Sequence, residues 1–276
     1  MNDHASEVRA GARFRFGANW QRFLTALNDQ RIEEAKQSLQ RMLGVQSLAG
    51  HTFLDVGSGS GLFSLAACAL GAKVHSFDYD PQSVACTAEL KRRYFPAADW
   101  VVESGSVLDQ NYLRGLGQFD VVYSWGVLHH TGQMWQAFAN VTPLVKRGGL
   151  LFIAIYNRQP YLSGYWTVVK QLYNRAPSPL QSLADIGFFA FFAVQLFVAD
   201  LLRGKSPARR YSGTGLRGMT LYYDIVDWIG GWPFEVAAPE EVFRYFNGRG
   251  LVLHELVTCG GRHGCNEFVF RDAGVP

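Results

Sequence analysis

The chain has 276 residues, of which 48% are hydrophobic and 18% are charged, and it contains no repeat or low-complexity tract. A chain of this length and composition buries a substantial core, so we expect one domain with insertions, 1–276. The net charge is +3, but residues 158–217 hold eight Lys or Arg against two Asp, which leaves the rest of the chain at −3. This asymmetry is far weaker than a nucleic-acid-binding stripe, so no nucleic-acid partner is predicted.

Four cysteines, Cys68, Cys86, Cys259 and Cys265, do not suggest a disulfide scaffold. The first two fall on predicted helices and are interpreted as buried thiols. The segment Met1–Arg13 is polar and lacks the apolar stretch of a signal peptide. We therefore expect a cytoplasmic protein.

Residues 1–50 precede the first predicted strand and form a helical leader. Its segment 14–24 is dense in aromatic residues, and Asn28–Leu43 has the pattern of an amphipathic helix.

The segment 53–61 then combines a strand with a glycine turn. Phe53–Val56 is a short apolar run, and Gly57, Gly59 and Gly61 follow it. Glycines at this spacing indicate a tight turn, and the apolar segment 62–71 after it is predicted to be a helix that ends at a glycine. Strand, glycine turn and helix together make the first half of a nucleotide-binding crossover.

A second strand, Lys73–Phe77, ends at Asp78. A carboxylate at this place is positioned to bind the two hydroxyls of an adenosine ribose. A dinucleotide-binding turn would need a further glycine where this chain has Leu62, and no phosphate-binding Lys-Ser or Lys-Thr pair is nearby.

Three more strands are predicted at Asp99–Glu103, Phe119–Ser124 and Leu150–Tyr156. Phe119–Ser124 is followed by Trp-Gly-Val-Leu-His-His-Thr at 125–131, and a glycine pair at 148–149 precedes Leu150–Tyr156.

In order and spacing, these motifs between residues 52 and 157 resemble the class I S-adenosylmethionine-dependent methyltransferases, with a pattern closest to the ubiquinone-pathway and secondary-metabolite O-methyltransferases. Leu251–Val257 and Asn266–Arg271 are similar to the sixth and seventh strands of that family. The resemblance implies an α/β, Rossmann-like seven-stranded sheet in the order 3-2-1-4-5-7-6, with strand 7 antiparallel, helices on both faces and a helical insertion after strand 5. It also implies S-adenosyl-L-methionine as cofactor and methyl transfer to a small-molecule acceptor.

The resemblance assigns cofactor contacts to residues of the leader, the glycine turn and the ends of the following strands. These are Trp20, Asp55, Gly57, Gly59, Gly61, Asp78, Tyr79, Ser106, Val107, Ser124 and Trp125. In this assignment Asp78 binds the ribose, Tyr79 covers the adenine, and the leader 1–50 closes over the cleft. Many relatives have an aspartate at the place of Ser106, so Asp109 or a backbone carbonyl is an alternative acceptor for the adenine amine.

The segment Ser124–Val127 also bears on the acceptor. Enzymes that methylate planar amino nitrogens usually carry an Asn/Asp-Pro-Pro-aromatic tetrad here, and this chain has no proline in it. Oxygen, sulfur, carbon and aliphatic nitrogen therefore remain open. Oxygen is favoured, and an oxygen acceptor requires a base near neutral pH. The candidate catalytic residues are His129, His263, Tyr156 and Asp224, with His130 interpreted as a packing residue.

The insertion, 158–238, is the least standard part of the chain and is expected to cap the acceptor side. Its second helix, 186–202, is apolar nearly all round, and a basic run formed by Arg203, Lys205, Arg209 and Arg210 follows it. This helix is predicted to roof the acceptor pocket or to form a homodimer contact. A peripheral membrane contact is less favoured, because Gln195 and Asp200 interrupt the apolar face.

The turn 259–265 contains two cysteines and one histidine, but with no fourth ligand nearby no metal site is predicted.

Two other interpretations stay open. An enzyme with the same fold and cofactor could instead transfer or cyclise the aminocarboxypropyl group and release methylthioadenosine. A cofactor-binding or membrane-docking module without catalysis is less favoured, because the cofactor motifs are intact.

Overall fold

The computed structural model describes residues 4–17, 20, 24, 27–202, 204 and 221–274, without the side chains of 221, 223 and 224. Seven strands in this part of the chain form one sheet in the order β3-β2-β1-β4-β5-β7-β6, with β7 antiparallel to both neighbours, so the predicted topology is confirmed. The strands are β1 Thr52–Val56, β2 Lys73–Asp78, β3 Trp100–Ser104, β4 Phe119–Trp125, β5 Val145–Tyr156, β6 Leu251–Val257 and β7 Cys265–Asp272.

Ten α-helices lie within the described residues. They are α1 His4–Arg9, α2 Asp29–Leu43, α3 Leu62–Ala69, α4 Pro81–Tyr94, α5 Gln110–Leu116, α6 Met134–Val141, α7 Leu162–Arg175, α8 Ser178–Leu202, α9 Leu221–Gly230 and α10 Pro239–Asn247. The apolar helix α8 begins earlier than the predicted residue 186. Pro179 does not stop it, because a proline in the first turn of a helix breaks no hydrogen bond.

Alternating strand residues divide the core between the two faces of the sheet. Phe53 and Tyr123 pack with α2, α3 and Trp100 on one face. Leu54 and Val122 pack with α6 and α10 on the other. Successive side chains of a strand point to opposite faces, and helices cover both faces of a parallel sheet. The apolar strands 53–56 and 119–125 are therefore buried on both sides.

A third apolar cluster joins the leader to the insertion. Phe14 packs with Tyr173 of α7 and with Ile225 and Ile229 of α9. The peptide N–H of Phe14 also donates to the carbonyl of Trp232 at 2.9 Å. Leader and insertion, which are distant in sequence, thus pack against each other.

The end of β2 anchors the leader. Asp80 caps α4, because one carboxylate oxygen accepts the N–H of Gln82 at 2.9 Å. The other oxygen accepts the N–H of Gly17 at 2.8 Å and lies 3.6 Å from Nε2 of His4. The Asp80 side chain therefore caps the helix that follows β2 and also binds the leader.

Phe246 of α10 provides a test of the second core. It is fully buried, with ring centroids 5.1 Å from Phe138 and 4.8 Å from Phe270. Phe246→Ala is expected to lower the free energy of unfolding by about 3–5 kcal/mol, because it leaves a cavity. Phe243→Ala on the same helix, where the ring is 38% exposed, is the control and is expected to cost about 1 kcal/mol or less. Equal losses for both variants in urea denaturation would contradict this packing.

Candidate active site

The glycine turn folds back over the end of β1. Gly57, Gly59 and Gly61 have φ values of +81°, +55° and +81°, a region that residues with a Cβ rarely adopt. The N–H of Gly57 donates to the carbonyl of Phe77 at 2.9 Å, and the N–H of Gly59 donates to Oδ2 of Asp78 at 2.9 Å. The turn after β1 is thereby fixed to the end of β2.

Close approach explains the first and last of these glycines. A Cβ on Gly57 would overlap the Val127 side chain, and one on Gly61 would lie 2.8 Å from the Cα of Thr87. Gly61 therefore serves the packing of the turn on α4, and it does not line the cleft. At Gly59 the nearest neighbour would be the Trp20 indole nitrogen, at 3.2 Å.

A cleft of about 900 Å³ opens at the carboxyl ends of β1, β2 and β4, beneath the leader. It is lined by nine of the eleven residues assigned to the cofactor: Trp20, Asp55, Gly57, Gly59, Asp78, Tyr79, Ser106, Val107 and Trp125. Ser124 lies behind the wall, because its fully buried hydroxyl donates to the carbonyl of Val56 at 2.9 Å. The sequence pattern placed this strand end correctly but could not tell which of its side chains faces inward.

Two carboxylates lie near the turn. Burial raises the pKa of Asp55 to about 7, although Ser64 donates to its Oδ2 at 2.5 Å. Burial also raises the pKa of Asp78 to about 6, while the N–H groups of Gly59 and Asp80 oppose the shift. Both groups therefore favour ligands that bring hydrogen-bond donors or positive charge.

At the far end of the cleft, Tyr79 is held by the leader. Its ring centroid is 5.4 Å from the ring of His4 and 5.0 Å from the Arg13 guanidinium carbon. Ser106 lines the cleft, but the carboxylate of Asp109 caps α5 and accepts N–H groups at 3.0 and 3.1 Å. This engagement leaves a backbone carbonyl as the better alternative for the adenine amine.

The adjacent histidines His129 and His130 lie in different surroundings. Leu128–His130 is a 3₁₀ turn, in which His129 is fully buried with its ring centroid 4.1 Å from that of Tyr156. His130, which we interpreted as a packing residue, lines the cleft, and its Nδ1 donates to the carbonyl of Pro233 at 2.7 Å. The candidate base on this turn is therefore His130, and His129 supports the wall behind it.

The other catalytic candidates are separated. Tyr156 lines the cleft, whereas His263 lines a second, smaller cavity that shares Tyr156 and Trp228 with it. The side chain of Asp224 lies outside the described residues. Asp227, one helical turn later, lines the cleft and was missed, because nothing in the sequence of α9 distinguishes it from Asp224.

Comparison with known proteins agrees with this geometry. Residues 54–151 match a family model described as a methyltransferase domain. The ubiquinone biosynthesis O-methyltransferase of Xanthomonas euvesicatoria pv. vesicatoria (strain 85-10) is 31% identical over 140 residues, covering 51% of this chain and 54% of the relative. That of Caulobacter vibrioides is 30% identical over 112 residues, covering 40% and 42%. The chain thus spans about half the length of the curated relatives it matches.

Among solved structures, magnesium protoporphyrin IX methyltransferase from Synechocystis PCC 6803 with bound SAH has a TM-score of 0.50 at 13% identity, covering 88% of this chain and 82% of that one. This likeness shows the fold. The domain match over residues 54–151 confirms the expectation that the chain carries a class I S-adenosylmethionine-dependent methyltransferase domain. S-adenosylmethionine is the cofactor of this family.

The residues present fit that cofactor. Asp78 places a carboxylate at the strand end for a ribose diol, and Tyr79 presents an aromatic face beyond it. Gly59 has no Cβ, and the place of that atom faces the Trp20 indole of the leader, so that the backbone of the turn lies bare on the cleft side. Asp55, whose pKa is raised by burial, lies where the cationic end of the cofactor would compensate its negative charge.

Cofactor affinity is expected to depend on this strand end. Asp78→Ala removes a charge-assisted acceptor, so binding should weaken by roughly 1.5–3 kcal/mol in calorimetric titration. Gly59→Val should abolish binding, because its side chain would occupy the path of the cofactor in a strained backbone conformation. Asp99→Ala removes an exposed carboxylate at the other end of the sheet and serves as control. Wild-type affinity in the first two variants would refute the assignment.

Proposed function

We propose that the protein transfers a methyl group from S-adenosylmethionine to a small-molecule acceptor, at oxygen. The observation that carries this proposal is the continuity of the cleft. Asp78 and the glycine turn line the same cleft as His130, Tyr156 and Trp228. The names of the curated relatives, which are O-methyltransferases, support oxygen as the acceptor atom.

The bound cofactor would supply an electrophilic methyl group, and the chain would position the acceptor and exclude water. The leader covers the cleft through Phe16 and Trp20. The bond from Nδ1 of His130 to the Pro233 carbonyl fixes the proton on that nitrogen, so Nε2 is the ring atom able to accept a proton. In this tautomer Nε2 is suited to assist an oxygen nucleophile.

The by-product tests the reaction type. Methyl transfer is expected to yield S-adenosylhomocysteine in stoichiometric amount with methylated acceptor. Chromatography of reactions with catechol-type and other phenolic acceptors measures it, and reactions of the Asp78→Ala variant are the control. Methylthioadenosine as the main product would show that the aminocarboxypropyl group is transferred or cyclised instead.

We further propose that the outer face of α8 contacts a bilayer. The inner face packs against the insertion, with Phe192 at 5.8 Å from Trp228 between ring centroids. On the outer face Leu183, Val194 and Leu201 share one side of the helix and are 65%, 63% and 56% exposed. Helix α8 is the one helix of the described part that is long and apolar enough to cross a membrane.

Packing of the inner face favours a helix that lies on the membrane surface over one that spans it. The basic run at 203–210 follows at once in the sequence, although its placement lies outside the described residues. A positive segment that follows an apolar helix in the sequence complements anionic lipid, which is why we favour a bilayer over a second copy of the chain.

Sedimentation with vesicles of phosphatidylcholine and phosphatidylserine tests this surface. The wild type is expected to bind, and added salt should weaken binding because it screens the basic run. Leu183→Glu with Val194→Glu should abolish binding, whereas Val101→Glu, on the edge strand β3 with a similarly exposed side chain, should not. The wild type could instead fail to bind vesicles and form a dimer, while the double variant stays monomeric. This result would show that the outer face of α8 contacts a second copy of the chain and not a bilayer.

A further inference from the structure

Lys170 of α7 is buried in an aromatic cage. It has no exposed surface, and its Nζ lies 4.5 Å from the ring centroid of Trp228 and 4.8 Å from that of Phe234. Trp166 and Tyr173 are buried on the same face of the helix, at spacings of four and three residues. A lysine in such a position is rare, because burial of an ammonium group without a partner is costly.

Two donors in this cage have no acceptor. Within the part of the chain that the structure describes, neither Nζ of Lys170 nor Nε1 of Trp166 has a hydrogen-bond partner. The two side chains meet at Trp228, whose ring centroid is 4.3 Å from that of Trp166. Native proteins satisfy most buried donors, so two together indicate a place for an acceptor from outside the chain.

A cavity borders Trp166, and two of its other lining residues, Trp228 and Phe234, are the rings over which Nζ of Lys170 lies. It is lined by Tyr156, Trp166, Trp228, Phe234 and His263, and with about 10 Å³ it has room for about one oxygen atom. Tyr156 and Trp228 also line the cofactor cleft. An aromatic acceptor in the cleft could therefore lie against these two side chains and direct one oxygen into the cavity.

The charges around Lys170 suit an acidic oxygen. Burial lowers the pKa of Lys170 to about 7, and Asp227 on α9 opposes the shift. The pKa of His263 is lowered by burial and by the charge of Lys170, which disfavours the protonated form of this histidine. Near neutral pH the lysine amine can accept a proton, and the resulting ammonium then attracts an anion.

We propose that this cage binds a phenolic hydroxyl of the acceptor as its phenolate, paired with the ammonium form of Lys170 and with a second hydrogen bond donated by Trp166. The phenol O–H bond breaks. Where the lysine amine is neutral the proton forms an N–H bond on Nζ, and where Nζ is already protonated the proton passes to the solvent. The aromatic ring stays in the cleft beside Tyr156 and Trp228. This inference rests on the proposed function for the identity of the phenol as methyl acceptor.

Binding of 4-nitrophenol tests the cage without methyl transfer, because its phenolate is coloured and its neutral form is nearly colourless. The full chain saturated with S-adenosylhomocysteine is titrated at a pH below the pKa of the free phenol. The wild type should generate the phenolate colour on binding. Lys170→Met should lose the colour and bind at least about tenfold more weakly, while Arg175→Met, an exposed position on the same helix, should behave as wild type.

Thermal unfolding of Lys170→Met shows whether the variant folds. Because the pKa of Lys170 is lowered, the unfolded chain binds more protons than the folded one between about pH 7 and the ordinary lysine value of about 10.4. The free energy of unfolding of the wild type therefore rises with pH across that window. Below about pH 7 it is reduced by the full cost of burying the charged form of Lys170. Lys170→Met should remove this penalty, so its Tm should exceed that of the wild type most clearly below pH 7.

Trp166→Phe provides a second variant, which removes the indole N–H and keeps an aromatic ring in the cage. It should weaken nitrophenolate binding by about tenfold with unchanged affinity for S-adenosylhomocysteine. The proposal is overturned if the wild type produces no phenolate colour, or if both variants keep the wild-type colour and affinity. If the wild type produces the phenolate colour with 4-nitrophenol but transfers no methyl group to phenolic acceptors, the result contradicts the proposed function and not the cage.

Discussion

The bond from the Gly59 N–H to the Asp78 carboxylate joins the ends of two neighbouring strands, and the cofactor cleft is organised around it. It forms because the parallel register pairs Val56 with Phe77, so that both strands end at one edge of the sheet. It also requires a left-handed backbone in the turn after β1, which glycine supplies at little cost. A sheet edge alone would place a carboxylate there, but the turn is needed to bring the Gly59 N–H to it.

The part of the leader that lines the cleft depends on the same strand end. Two residues beyond Asp78, Asp80 caps α4 and accepts the N–H of Gly17, and Trp20 then lies against Gly59. Further back in the leader, Phe14 packs into the insertion. The leader therefore contacts both the glycine turn and the insertion, and a change in its position would alter both contacts.

The sequence allowed prediction of what depends on local pattern. The strand order and the glycine turn follow from short apolar runs and glycine spacing, and the sheet then brings Asp55 and Asp78 together. The choice between His129 and His130 could not be made, because successive residues of a 3₁₀ turn point about 120° apart and the turn type is set by packing. Lys170 was also missed. Its spacing from Trp166 was a signal, but lysine is normally read as a surface residue.

Buried titratable groups lie both in the cleft and in the insertion. In the cleft burial raises the pKa of Asp55 and Asp78, and in α7 burial lowers the pKa of Lys170. Under the two proposals above, a cationic cofactor would favour the ionised carboxylates, and an acidic acceptor would favour the ammonium form of the lysine. Apolar burial makes these charges costly in the protein alone, and the same burial would strengthen their attraction for a ligand of matching charge.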